Sequence, residues 1–211
     1  MITTVLDASP LFWPGAILSA VLAVVGSGPV GRLLRAHRVV GFLVVLALGG
    51  IVTLTLLPDT KLSLADNARY GAQECVLDGA GPHPLSELLT ATQSSLNVAL
   101  FVPLGLAVGL AGTWGRRAAA AAVALCVPLA VESVQYALPV LGRACDAQDV
   151  WDNLFGLFLG LLLAVVCGPV ARAAVRARRR RGNGPVRRPV RAGAQAADAG
   201  EGAQDRTGVT G

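Results

Sequence analysis

From Val39 to Leu57 the chain runs nineteen residues without a charged side chain (VVGFLVVLALGGIVTLTLL). At 1.5 Å per residue, a helix of that length rises about 29 Å, close to the ~30 Å hydrocarbon core of a bilayer. Inside lipid every backbone N–H and C=O must be satisfied within the chain, and a helix does this by itself. Composition points the same way: of 211 residues, 54% are hydrophobic and only 15% charged, too apolar for an ordinary soluble domain. The expected fold class is therefore all-α, a polytopic integral membrane protein with the lipid bilayer as its first partner.

About four further spans accompany this one, making about five transmembrane helices: Leu11 to about Val30, about Ser95 to Gly112, Ala118 to about Leu138, and about Val150 to Cys167. The first ten residues (MITTVLDASP) lack the positive segment of a secretory signal, so the first span is expected to stay uncleaved. The short basic stretch Gly31–Arg38 (GRLLRAHR) belongs on the cytoplasmic side, which sets the N-terminus outside and the C-terminus in the cytoplasm. Of 18 basic residues, 15 then fall inside: three in the first loop, two (Arg116, Arg117) in the second, and ten in the tail. The loop from residue 58 to about 93 is extracytoplasmic, and its Pro84–Thr92 stretch (PLSELLTAT) reads as a short interfacial helix.

Charge divides the chain into two regions. Residues 1–171 hold 8 Lys or Arg against 10 Asp or Glu, a net of −2, whereas residues 172–211 hold 10 against 3, a net of +7. The first region is the expected transmembrane domain. The second, poor in apolar residues, is expected to be a basic, disordered cytoplasmic tail held near anionic lipid by its Arg side chains. Basic residues just after an apolar span are topology determinants, so nucleic acid is not an expected partner. Seventeen of the 18 basic residues are Arg, and Ala and Gly are abundant, which points to a GC-rich bacterial genome and hence to the bacterial plasma membrane.

Topology also sorts the four cysteines. Cys75 and Cys145 face outward, Cys126 lies within the fourth span and Cys167 near the inner end of the fifth. An outer pair in an oxidising compartment is able to form a disulfide. Closing a loop of ~70 residues is worth about 4 kcal/mol in the chain-entropy picture; the alternative is two unrelated thiols. No CxxC or clustered Cys/His spacing occurs, and His37 and His83 fall on opposite sides, so neither a metal nor any other cofactor is expected.

The informative stretch is Val131–Gly160, where polar residues interrupt the apolar runs. Glu132 and Gln135 are three apart and share a helix face; Asp149 and Asn153 are four apart and do the same. Glu132 is expected about 9 Å below the outer end of its helix, where a carboxylate turns toward the bundle interior, a partner or a water-filled cavity. Arg143 is the nearby cation, in the turn between the two spans. Asp149, close to a helix N-terminus, also has a capping explanation.

These elements resemble the VanZ-like membrane proteins over about residues 40–167. Asn97-Val-Ala-Leu-Phe101-Val-Pro103-Leu-Gly105 is similar to the family's N-x-x-x-F-x-P-x-G element. Glu132-x-x-Gln135, Arg143-x-x-Asp146-x-x-Asp149 and Asn153-x-x-Gly156 followed by Gly160 are similar to its E-x-x-Q, R-x-x-D-x-x-D and N-x-x-G-x-x-x-G elements. The chain departs from the family after Leu57, where Leu57-Pro58-Asp59 and a long acidic loop replace an N-L-x-P-F-like stretch. The resemblance implies a cell-envelope protein whose name-giving member is linked to antibiotic resistance, at a low level, against the lipid-bearing glycopeptide teicoplanin. It does not imply an established reaction.

The ligand-binding candidates are thus Asn97, Glu132, Gln135, Arg143, Asp146, Asp149 and Asn153, converging in one outward-facing pocket. The competing reading makes them a helix-packing network, with Arg143 paired to a carboxylate and Asn97 and Asn153 bonded across helices. As a pocket, they would serve a protein that binds an envelope lipid, a lipid-linked cell-wall precursor or a lipoglycopeptide. Two alternatives stay open: a membrane-embedded enzyme on a lipid-linked substrate, with Glu132 or Asp149 as general base, and a small proton-coupled carrier. No Ser-His or Cys-His pair on the outer face supports a nucleophilic hydrolase.

Overall fold

Small residues set the first structural unit. Helix α1 (Phe12–Leu33) and helix α2 (Arg38–Thr55) form an antiparallel hairpin, with Gly15 against Thr53, Ser19 against Gly49, Gly26 against Val45 and Gly41 against Ser27 and Gly31. Without Cβ atoms at these crossings the backbones approach closely, the usual basis of helix association in lipid. Ser19 and Thr53 add a hydroxyl contact at 3.3 Å. The turn between them is only residues 34–37, shorter than the basic loop read from sequence, because α1 continues through Pro29.

The computed structural model describes residues 11–58, 64–70, 74–82 and 93–182. The chain divides into two units, residues 1–172 and 173–211, the described part of the second being the helical residues 173–182. The first ten residues, the interfacial helix expected at Pro84–Thr92, His83 and residues 183–211 lie outside the described residues.

After the hairpin come a short helix α3 (Leu64–Tyr70), strand β1 (Cys75–Val76), helix α4 (Gln93–Gly109), helix α5 (Trp114–Ala137), a tight helical turn (Pro139–Leu141), strand β2 (Cys145–Asp146) and helix α6 (Ala147–Gly182). Thr113 caps α5, its Oγ1 accepting the Arg116 N–H at 3.4 Å. The turn before α5 is tied to the α1–α2 turn, since Gly112 N–H donates to the Leu34 carbonyl at 3.0 Å.

Two features differ from the sequence reading. Helix α6 does not stop at Gly168-Pro169 but runs on to Gly182, so residues 172–182 of the expected disordered tail are helical. A proline inside a helix removes one N–H and crowds one carbonyl, while the Ala- and Arg-rich residues after it favour helix. The third expected span is α4, whose 17 residues make about 26 Å, slightly under the bilayer core. By length and composition, four helices among the described residues are long and apolar enough to cross a membrane: Phe12–Leu33, Arg38–Thr55, Trp114–Ala137 and the Ala147–Pro169 part of α6. Large apolar side chains such as Ile17, Val25, Val52, Leu129 and Val165 stand exposed along them. A soluble monomer rarely shows so much apolar surface; the molecule is a helical membrane protein.

One core joins the bundle. Ala47 and Ile51 from α2, Phe101, Leu104 and Val108 from α4, Ala124 and Val131 from α5 and Leu157 from α6 form a single buried cluster. Helices α4 and α6 run parallel and touch backbone to backbone. The Val98 carbonyl occupies the place where a Cβ on Gly156 would stand, the Val102 carbonyl does so at Gly160, and the Leu157 carbonyl at Gly105. This parallel contact fixes the height at which the polar residues of α4 and α6 meet.

Candidate functional site

Helix α5 ends with its polar face turned inward: Glu132, Gln135 and Val131 are buried. Glu132, 6% exposed, accepts the backbone N–H of Asp146 on Oε2 at 3.0 Å. Gln135 Nε2 donates to the Thr55 carbonyl at 3.0 Å, satisfying one of the last carbonyls of α2, which a helix cannot pair within itself. The i, i+3 spacing therefore sends one side chain to the strand before α6 and the other to the end of α2.

Between α5 and α6 the chain turns sharply. Gly142 takes a left-handed φ of 65°, and a Cβ there would stand 2.7 Å from Asn67 Nδ2 of α3. Glycine meets both demands. Strand β2 then pairs in parallel with β1, placing Cys75 opposite Cys145 and Val76 opposite Asp146. The two cysteines are disulfide-bonded, with Cα atoms 4.6 Å apart. The outer loop is thereby fastened beside Asp146.

Asp146 starts α6. Its Oδ1 accepts the Gln148 N–H at 2.8 Å, an N-cap bond that leaves Asp149, in the first turn, free for another role. Asp149 Oδ1 accepts Asn97 Nδ2 of α4 at 2.6 Å, and Gln93 bonds the same carboxylate. The capping explanation considered for Asp149 thus belongs to Asp146. One turn further, Asn153 is 2% exposed.

The seven candidates therefore divide. Asn97 pairs with Asp149, and Glu132 with the Asp146 backbone. Glu132 faces the charges of Asp149 and Asp146, and Asp149 faces those of Asp146 and Asp152. Gln135 reaches away to α2. Arg143 is half-buried, and its Nε has no hydrogen-bond partner among the described residues. The same holds for Gln135 Oε1 and Asn153 Oδ1. Among the described residues no three His, Cys, Asp or Glu are grouped to hold a metal ion.

Two residues outside the candidate set belong beside it. Gln148 Nε2 donates to the Gly81 carbonyl at 2.9 Å and to Asp152 Oδ1 at 3.0 Å, while its Oε1 accepts the Gly81 N–H at 2.9 Å. Its amide thus acts as a peptide-like partner that docks the loop around Gly81 onto α6. Asp152 is 3% exposed and its Oδ2 has no partner among the described residues. The signal was present as Gln148-x-x-x-Asp152, an i, i+4 pair on one helix face.

No curated protein and no solved structure matches the chain. Residues 41–168 match the model of the VanZ/LLP1 family, a range that holds α4, α5, the disulfide and all seven candidate residues. With more than half of its length inside that match, the chain belongs to the VanZ-like family.

Proposed function

We propose that this protein crosses the bacterial plasma membrane five times, N-terminus outside and Arg-rich C-terminal region in the cytoplasm, and binds an envelope amphiphile at its outer polar corner. The distribution of basic residues supports the orientation, and α4 supplies the fifth pass with a slight tilt or thinning of the bilayer around it. The ligand is an envelope lipid, a lipid-linked cell-wall precursor or a lipoglycopeptide such as teicoplanin.

The observation that carries this reading is the set of unused polar atoms on α5, on α6 and in the turn between them. Side chains that merely glue helices together use up their hydrogen-bonding groups on each other, because each buried group without a partner costs about 1–3 kcal/mol. Here Arg143 Nε, Gln135 Oε1 and Asn153 Oδ1 remain without partners among the described residues. Donors and acceptors held in fixed positions in a water-poor corner suit a ligand with a polar head. Arg143 would take its phosphate or carboxylate through the planar guanidinium fork. Glu132 is fixed by the Asp146 N–H, and Gln135 by the Thr55 carbonyl at the end of α2.

Deleting the gene tests this when lipoglycopeptide susceptibility is measured alongside mass spectrometry of the envelope lipids. The expected result is a changed drug response with an unchanged set of lipid species. A lipid species that accumulates or disappears would make the protein an enzyme, with the facing carboxylates Glu132 and Asp149 as its acid and base.

A further inference from the structure

The first turns of α6 carry a feature that the polar corner does not use. Trp151, Phe155 and Phe158 follow one another at spacings of four and three, forming one stripe along the helix, and they are 51%, 40% and 59% exposed. With Gly81, Pro82 and Leu154 they line a groove of about 240 Å³, and Asp152 completes the lining as its one charged side chain among the described residues. Asp152 is held by one oxygen only. Its Oδ1 accepts from Gln148 Nε2, which also secures Gly81 at the rim, while its Oδ2 is buried without a donor among the described residues.

A buried carboxylate oxygen without a donor is unfavourable, and the carboxyl of Asp149 faces Asp152 as well. An ammonium satisfies both the empty acceptor and the field, through a charge-assisted hydrogen bond. Trp151 adds an aromatic face, which attracts cations. The groove lies in the opening turns of a helix whose Ala147–Pro169 part is long and apolar enough to cross the bilayer, so lipid is what covers its aromatic stripe. At about 240 Å³ it is smaller than sites that enclose a whole drug-sized molecule, and it fits one head-group amine with the first part of one chain.

We propose that this groove binds an aminophospholipid of the surrounding bilayer, with the primary ammonium on Asp152 Oδ2 and one acyl chain along Trp151, Phe155 and Phe158. The groove adjoins the corner at Asn97 and Asp149 on the same helix, and its lipid does not depend on that corner taking an amphiphile.

The test uses the full-length protein in detergent micelles, with Trp13→Phe and Trp114→Phe so that Trp151 is the sole tryptophan. It is titrated with phosphatidylethanolamine carrying brominated chains, which quench a tryptophan they touch. Phosphatidylcholine and phosphatidylglycerol with the same chains serve as comparisons. The expected result is half-quenching by phosphatidylethanolamine at about a tenfold lower mole fraction than by either, the low end of what one hydrogen bond to a charged group contributes. Asp152→Asn keeps an acceptor for Gln148 and puts a donor in place of Oδ2, and it should bring phosphatidylethanolamine to the phosphatidylcholine level. Equal quenching by all three lipids overturns the proposal, as does phosphatidylglycerol matching phosphatidylethanolamine, or Asp152→Asn retaining the preference. Where that variant does not fold, mono- and dimethylated phosphatidylethanolamine on the unaltered site decide. A stepwise loss of quenching as N–H groups are removed is expected, and a flat series overturns it.

Discussion

Asn97 and Asp149 lie 52 residues apart in sequence, yet their side chains meet at 2.6 Å across α4 and α6. Hydrogen bonds between membrane helices average about 0.6 kcal/mol and reach about 1.7, less than burial alone would give, because the separated helices also find partners. For Asn97→Ala and Asp149→Ala a coupling of about 1 kcal/mol is expected from a double-mutant cycle on unfolding in mixed micelles, since this bond is short and part-buried. A coupling near zero would mean that the two residues do not act as a pair. Gly142 makes a different demand. A left-handed residue with a Cβ costs roughly 1–2 kcal/mol, and here that Cβ also meets Asn67. Gly142→Ala should therefore lower the thermal midpoint clearly, whereas Gly28→Ala, where a Cβ meets nothing within 4 Å, should leave it unchanged or slightly raised.

At the level of elements, the parallel contact of α4 with α6 is what brings the polar corner to one height. Gly156→Val or Gly160→Val puts side chains where the Val98 and Val102 carbonyls stand, so the helices must separate. Neither variant should elute as a monodisperse species, while Gly50→Ala on α2, which meets nothing, should. Sequence spacing carries part of this arrangement. Gly156-x-x-x-Gly160 reads as a helix contact, and the N-x-x-x-F-x-P-x-G and R-x-x-D-x-x-D elements name the residues around the corner. Spacing along one helix cannot name the residue on another helix that it meets, so the partners Thr55 for Gln135 and Asn97 for Asp149 come only with the packing. Strands of two residues, such as Cys75–Val76 and Cys145–Asp146, leave no periodicity to read, because the pairing that defines them is long-range. Asp152 passes unnoticed between Trp151 and Asn153 because its partner Gln148 is a neutral residue one turn earlier, without a charge to mark the pair.

Across the whole molecule, apolar runs of bilayer length made the helical membrane character legible from composition and charge spacing, and four helices of that kind are present among the described residues. The end of α6 was less legible, since Gly168-Pro169 reads as a stop while the Ala- and Arg-rich residues beyond it favour continued helix. The tether between the outer loop and the corner is chemically checkable. In denatured, non-reduced protein two of the four cysteines, Cys126 and Cys167, should react with a maleimide, and all four after reduction. Four reactive thiols without reductant would remove the tether. As proposed, the residues Asn97, Glu132, Arg143 and Asp149 serve a ligand and do not merely hold helices together. The most direct test is complementation of the deletion strain with Arg143→Ala and Asp149→Ala, reading membrane abundance by immunoblot together with the response to lipoglycopeptide. Both variants should be inserted at near wild-type abundance and should lose the response. Variants that vanish from the membrane, or that stay abundant and respond like wild type, would contradict the proposal.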